Sequence, residues 1–132
     1  AVIVVDALAS RRLSRLGCTI QISDTGISPG AGVGNHRMPI NEETMGIPVI
    51  GIGVPMVVDA VTLAADLLEP NDDRGADKPI EELTPSGNHM VVTPKNIDVL
   101  TMRSSRLTAM AINCALQRSL SKDDIIALTC NS

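Results

Sequence analysis

The chain has 132 residues, 44% apolar and 20% charged, the composition of a globular domain with a core of its own rather than of a disordered segment. A net charge of −4 argues against a duplex nucleic-acid binder, which needs a basic face to displace counterions, and the lack of Phe, Tyr and Trp removes the stacking platforms that hold single strands. No run approaches the ~18 consecutive apolar residues of a membrane span, and Cys18, Cys114 and Cys130 form no CxxC pair, so they read as free buried thiols of a reducing compartment.

Ala1 to Val5 is a continuous, mostly β-branched apolar run, the pattern of a strand buried on both faces. No basic leader precedes it, and a chain that opens directly in such a strand reads as cut from something longer. Asp6 ends the run, and Ala7 to Leu16 follows as a short helix with Leu8, Leu13 and Leu16 on one face and Gly17 as its stop. Cys18 to Ile22 is a second strand. Ser23 to Pro39 is a long loop holding Gly26, Gly30, Gly32 and Gly34, and Asn41 caps a helical turn that Gly46 closes.

Pro48 to Val54 reads as a third strand, and Pro55 opens a helix to about Leu68 with Val57, Val58, Val61, Ala64, Ala65 and Leu68 as its apolar face. Glu69 to His89 is rich in Pro, Gly and acids and reads as an exposed connection. Met90-Val91-Val92 resumes order, and Thr93-Pro94 starts a long helix to about Leu120 whose seam passes through Ile97, Leu100, Ser104, Leu107, Ala111 and Cys114. Ser121-Lys122-Asp123-Asp124 caps a last helix, Asp123 to Thr129. Strand and helix alternate, which gives an α/β fold with a mostly parallel sheet flanked by helices. Three strands make a small sheet, so partner strands are expected in other polypeptide and the chain reads as a partial domain.

In such a fold, sites form at the carboxyl ends of strands. Asp6, the loop after the second strand and Gly51 to Pro55 all fall there, and loops after adjacent parallel strands would converge on one crevice. Asp6 has two compatible readings: an N-cap for the helix after it, and a carboxylate in partly desolvated surroundings, suited to general acid/base work. Asp24, in Ser23-Asp24-Thr25-Gly26, reads as a second candidate carboxylate or as a turn aspartate bonding the backbone two residues on. Gly30-Ala31-Gly32-Val33-Gly34-Asn35 fits neither GxGxxG nor GxxxxGK[ST], so positive φ and close backbone approach explain it better than phosphate binding, and its N–H groups remain available to a substrate peptide. His36 and His89 stand alone, no serine has a matching His and acid, and no metal or cofactor is implied.

Several of these strings, taken together, resemble the spore germination protease family. They are Val2 to Arg11, Thr19 to Ile27, Pro29 to Asn35, Gly46 to Pro55 with Val57 to Val61, and Met90 to Asp98, in that order, so that the resemblance covers residues 1 to 118. It implies an endopeptidase that degrades small acid-soluble spore proteins during germination, inside the spore core, a cytoplasmic compartment. It also implies a zymogen that processes its own N-terminus, a tetramer, and a fold similar to the hydrogenase maturation proteases. The mechanism it implies is aspartic, with two carboxyl groups. Asp6 matches the later one, and the earlier one belongs to an N-terminal half not contained here, so this chain, as a C-terminal fragment of one peptidase domain, is expected to be inactive alone. Asp24, Thr25, Gly30, Gly32, Gly34 and Asn35 are its expected substrate-binding residues. Glu69 to His89 is shorter than the insertion typical of the family.

Two other classes of function compete. One is a non-catalytic assembly or binding module that keeps the fold, suggested by the lone carboxylate. The other is metal-dependent recognition through Asp6 and a histidine.

Overall fold

A computed structural model describes residues 1–68 and 90–130, so the exposed connection expected over 69–89 lies outside the described residues. The chain forms two compact units, Ala1–Lys95 and Asn96–Ser132. The class is α/β.

The first unit is built on one long strand. β3, Val49–Asp59, has a parallel neighbour, β1 (Val2–Ser10), along one edge. Successive stretches of its other edge pair antiparallel with β2 (Gln21–Ser23) and β4 (Val91–Val92). The order is β1-β3-β2, with β4 beside β3. The sheet is therefore mixed, which corrects the expectation of a mostly parallel one. β3 is the core: Val49, Ile52, Val54, Met56 and Val58 are all buried.

Both long strands run further than their composition suggests. β1 continues through Ala7, Leu8 and Ala9, helix formers on propensity, because β3 supplies a partner for each as far as Ser10↔Val58. The expected helix over 7–16 shrinks to a 3-10 turn, Leu13–Arg15. Ser10 makes the break: its buried hydroxyl donates to the Arg12 carbonyl at 2.5 Å and accepts the Arg12 N–H at 3.3 Å. β3 likewise runs through Pro55, which was expected to open a helix. Leu8 pairs with Pro55 and Ala9 with Val57, so a bulge at Met56 absorbs the residue that cannot donate. The Pro55 carbonyl accepts the Gly17 N–H at 2.7 Å. The helix α2, Ala60–Leu68, starts where Asp59 caps it, its Oδ1 accepting the Val61 N–H at 2.8 Å.

α1, Glu42–Met45, carries the expected cap: Asn41 accepts the Thr44 N–H at 2.9 Å, Thr44 returns the bond to the Asn41 N–H, and Gly46 closes the turn at φ 67°.

The second unit packs α3, Ile97–Leu116, with α4, Lys122–Cys130. α3 begins after Asn96 rather than at Pro94. Of the expected seam, Ile97, Leu100 and Ser104 are partly covered, whereas Leu107, Ala111 and Cys114 are exposed; the residue buried on α3 is Thr108. Ile125 of α4 is buried. Ser121 caps α4 as its sequence predicts, its N–H and hydroxyl donating to Asp124 at 3.0 and 2.6 Å. Cys18 and Cys114 are free thiols but exposed, against the expectation of burial.

Candidate functional site

Residues opposite one another in a ladder project to the same face of a sheet. Asp6 pairs with Gly53 and Gly53 with Gln21, so the three form one row across β1, β3 and β2. Val4, Gly51 and Ser23 form a second row on that face, two residues along. Val5, Ile52 and Ile22, the row between, project to the other face, where Val5 and Ile22 are 56% and 72% exposed.

Asp6 therefore lies inside β1, four residues before its end, and not at the lip where the sequence placed it. It is half-buried, and its Oδ1 accepts the Ala7 N–H at 2.9 Å. It caps no helix. The glycines of β3 let other parts of the chain lie close against the sheet beside it. A Cβ on Gly53 would lie 2.2 Å from Leu8 Cδ1, and one on Gly51 would lie 2.8 Å from the Gly26 carbonyl oxygen and from Ile27 Cγ2. In the row carrying Asp6 the Leu8 side chain thus covers Gly53, and the next row is roofed by the loop from β2.

That loop takes a route the sequence did not suggest. β2 is antiparallel to β3, so Asp24 and Thr25 leave at the end opposite the carboxyl ends of β1 and β3. The loop crosses Gly51 at Gly26-Ile27, pairs Ile27 with Ile40, and reaches β1, where a Cβ on Gly32 would lie 2.5 Å from that of Ala9. Asp24 is exposed, and the turn after β2 is made by Ser23 instead: its Oγ accepts the Thr25 N–H at 3.0 Å and lies 2.5 Å from Thr25 Oγ1.

Gly30 and Gly34, at φ 74° and 71°, bracket a 3-10 turn, Ala31–Val33. The Gly30 carbonyl accepts the Val33 and Asn35 N–H groups at 3.1 and 3.0 Å, while Ala31 N–H donates to Ser28 and Arg37 N–H to Pro29. These donors hold the loop's own shape, which leaves fewer of its amides for a ligand than the sequence suggested. Asn35 and His36 are exposed. Among the described residues no group of three His, Cys, Asp or Glu side chains could hold a metal, and no helix is long and apolar enough to cross a membrane.

The register adds one polar side chain that the sequence reading left as an ordinary strand residue. Gln21 is exposed, without a hydrogen-bond partner among the described residues, and in line with Asp6. Alternation within Cys18–Ile22 marks its face relative to Ile22, but only the pairing of β2 with β3 reveals what lies beside it.

A profile of the family described as germination protease matches residues 1–71, the part that holds β1, β2, β3 and the glycine loop. The chain is 44% identical over 146 residues to the germination protease of Clostridium tetani and 46% identical over 146 residues to that of Caldanaerobacter subterraneus, in each case with 94% of this chain and 45% of the relative aligned. It is 37% identical over 176 residues to that of Bacillus pumilus, over 94% of this chain and 47% of the relative. The chain spans less than half the length of these relatives. With more than half of its 132 residues matched by the family profile, the chain belongs to the germination protease family.

Proposed function

We propose that this chain is part of a spore endopeptidase that degrades small acid-soluble spore proteins during germination, and that Asp6 is one of its two catalytic carboxyl groups. The observation that carries the reading is the row in which Asp6, half-buried, stands beside a residue with no side chain on the strand that forms the core. A half-buried carboxylate set into an apolar strand is suited to acid/base work on a peptide group and a water brought to it. The name shared by the relatives, germination protease, supports the reaction class.

Peptide hydrolysis by paired carboxyls needs one group to take a proton from water as its oxygen adds to the carbonyl carbon. The other gives a proton to the nitrogen as the C–N bond breaks. Asp6 supplies one of these roles. Its partner belongs to polypeptide outside this chain, within the length that the relatives have in addition, so this chain alone does not cut. Asp24, Thr25, Gly30, Gly32, Gly34 and Asn35 hold substrate along the loop that roofs the neighbouring row. The whole protein is a self-processing zymogen, a tetramer of the spore core, with a fold similar to the hydrogenase maturation proteases; no cofactor takes part.

The test is to incubate a processed, full-length protease carrying this segment with a purified small acid-soluble spore protein. Discrete fragments are expected. An intact substrate would contradict the proposal.

A further inference from the structure

We infer that the outer edge of β1 is the docking surface for a strand of the same protease, drawn from the length that the relatives have beyond this chain, and that this strand brings the second carboxyl group beside Asp6. This deepens the catalytic reading of Asp6, on which it rests, by assigning the side from which the partner comes. In a parallel ladder, alternate residues of a strand turn their backbone groups toward one neighbour and the rest toward the other. The Val2 N–H donates to the Pro48 carbonyl at 2.9 Å, so Val2, Val4 and Asp6 bond inward to β3, whereas Ile3, Val5 and Ala7 turn their N–H and carbonyl groups outward. Asp6 Oδ1 accepts one of these outward donors, the Ala7 N–H, at 2.9 Å. The carboxyl group therefore lies toward the outer edge of β1, and its Oδ2 has no hydrogen-bond partner among the described residues.

On the β3 side Asp6 is closed in: the Leu8 side chain covers Gly53, and one row along Gly26 and Ile27 lie over Gly51. The outer edge is open, since no strand pairs with it among the described residues. β1 has nine residues, no Lys, no Pro and Asp6 as its one charge, so it lacks the usual devices that keep a free edge from pairing. Val5 is 56% exposed and Ala7 is exposed, so a strand seated there also covers apolar side chains. An occupant of sufficient length exists: the aligned relatives have more than half of their length outside the part this chain spans. Adjacent strands lie about 4.8 Å apart, so a carboxyl group on the neighbouring strand, on the face that Asp6 shares, can hold one water together with Asp6.

The experiment uses the full-length, processed protease without substrate. Hydrogen exchange read residue by residue on the wild type is expected to show the Ile3 and Val5 amides slowed about 10²-fold or more, like those of Val4 and Asp6, which bond to β3 in any case. Free exchange at Ile3 and Val5 beside protected Val4 and Asp6 would overturn the docking surface. A photo-crosslinking amino acid in place of Val5, in protease co-assembled from two isotopic forms, is expected to join β1 to a peptide of the same copy that contains Asp or Glu. A product joining two copies, or one that forms only when a spore protein is added, would overturn the choice of occupant. Changing each Asp and Glu of the joined peptide to its amide is expected to find one that lowers kcat about 10²-fold or more at an unchanged thermal midpoint. Full activity in all of them, with Asp6→Asn inactive, would overturn the placement of the second carboxyl group and leave the role of Asp6 standing. A fully active Asp6→Asn would remove the catalytic reading and the pairing of carboxyl groups with it, whereas the exchange result bears on the docking surface alone.

Discussion

Asp66 holds Leu13 across 53 residues of sequence: its Oδ2 accepts the Leu13 N–H at 2.8 Å. The same carboxylate lies 4.0 Å from the Arg12 guanidinium. The bond ties the turn that follows β1 to α2, and so fixes where β1 ends. The ion pair is long and partly solvated, so the hydrogen bond to a backbone donor carries most of the effect. Asp66→Ala in the full-length protein should cost about 1–3 kcal/mol in urea unfolding, and Asp66→Asn, which keeps an acceptor, distinctly less. Equal losses for the two would mean that the charge and not the bond is what matters.

The glycines should differ in their tolerance of alanine, in an order set by what each Cβ would meet. At Gly46 there is open space but φ is +67°, so Gly46→Ala should cost about 1–2 kcal/mol, the penalty of left-handed backbone. At Gly53 the obstacle is the end of the Leu8 side chain, which can rotate away at about 1–3 kcal/mol. At Gly30 a Cβ would lie 1.9 Å from the Asn35 carbonyl oxygen at φ +74°, so both penalties apply and the loop must open. Thermal midpoints should fall least for Gly46→Ala and most for Gly30→Ala.

The hydroxyl of Thr108 is buried in α3 with no hydrogen-bond partner among the described residues. Replacing it by a methyl group of the same shape removes a desolvated polar atom. Thr108→Val should therefore raise stability by about 1 kcal/mol, read as a higher urea midpoint at constant slope. A loss of stability would mean that the hydroxyl has a partner in the whole protein.

At the start of α4 the Ser121 hydroxyl, and after it the Ser121 backbone N–H, donate to Asp124 and hold its carboxyl below the usual 3.8. Its folded value lies below the unfolded one, so the cap's contribution is complete above pH 3.8 and fades as the pH falls below it. Helical content from α4 should be flat from neutral pH down to that point and decline below it, and Asp124→Asn should flatten that decline. Circular dichroism against pH for the pair checks this.

Local signals were legible where a few residues decide the outcome. Asn41 with Thr44 and Gly46, and Ser121 with Asp124, specify their own helix ends, and the structure keeps them. The strands β1 and β3 were legible in their β-branched halves only. Their second halves, Ala7 to Ser10 and Val54 to Val58, are extended because each gives the other partners, a long-range effect that propensity does not contain. The helix after β3 is capped by Asp59 and not opened by Pro55. For the site, the sequence pointed to Asp6 but could not show that β2 runs antiparallel. That single reversal sends Asp24 to the far end of the sheet and brings Gln21 into line with Asp6.

The most direct measurement is the cleavage rate of Asp6→Asn in a full-length protease carrying this segment, with folding checked by an unchanged thermal midpoint. Loss of general acid/base chemistry at this carboxyl predicts a kcat lower by about 10²–10⁴-fold. A kcat equal to that of the wild type would contradict a catalytic Asp6.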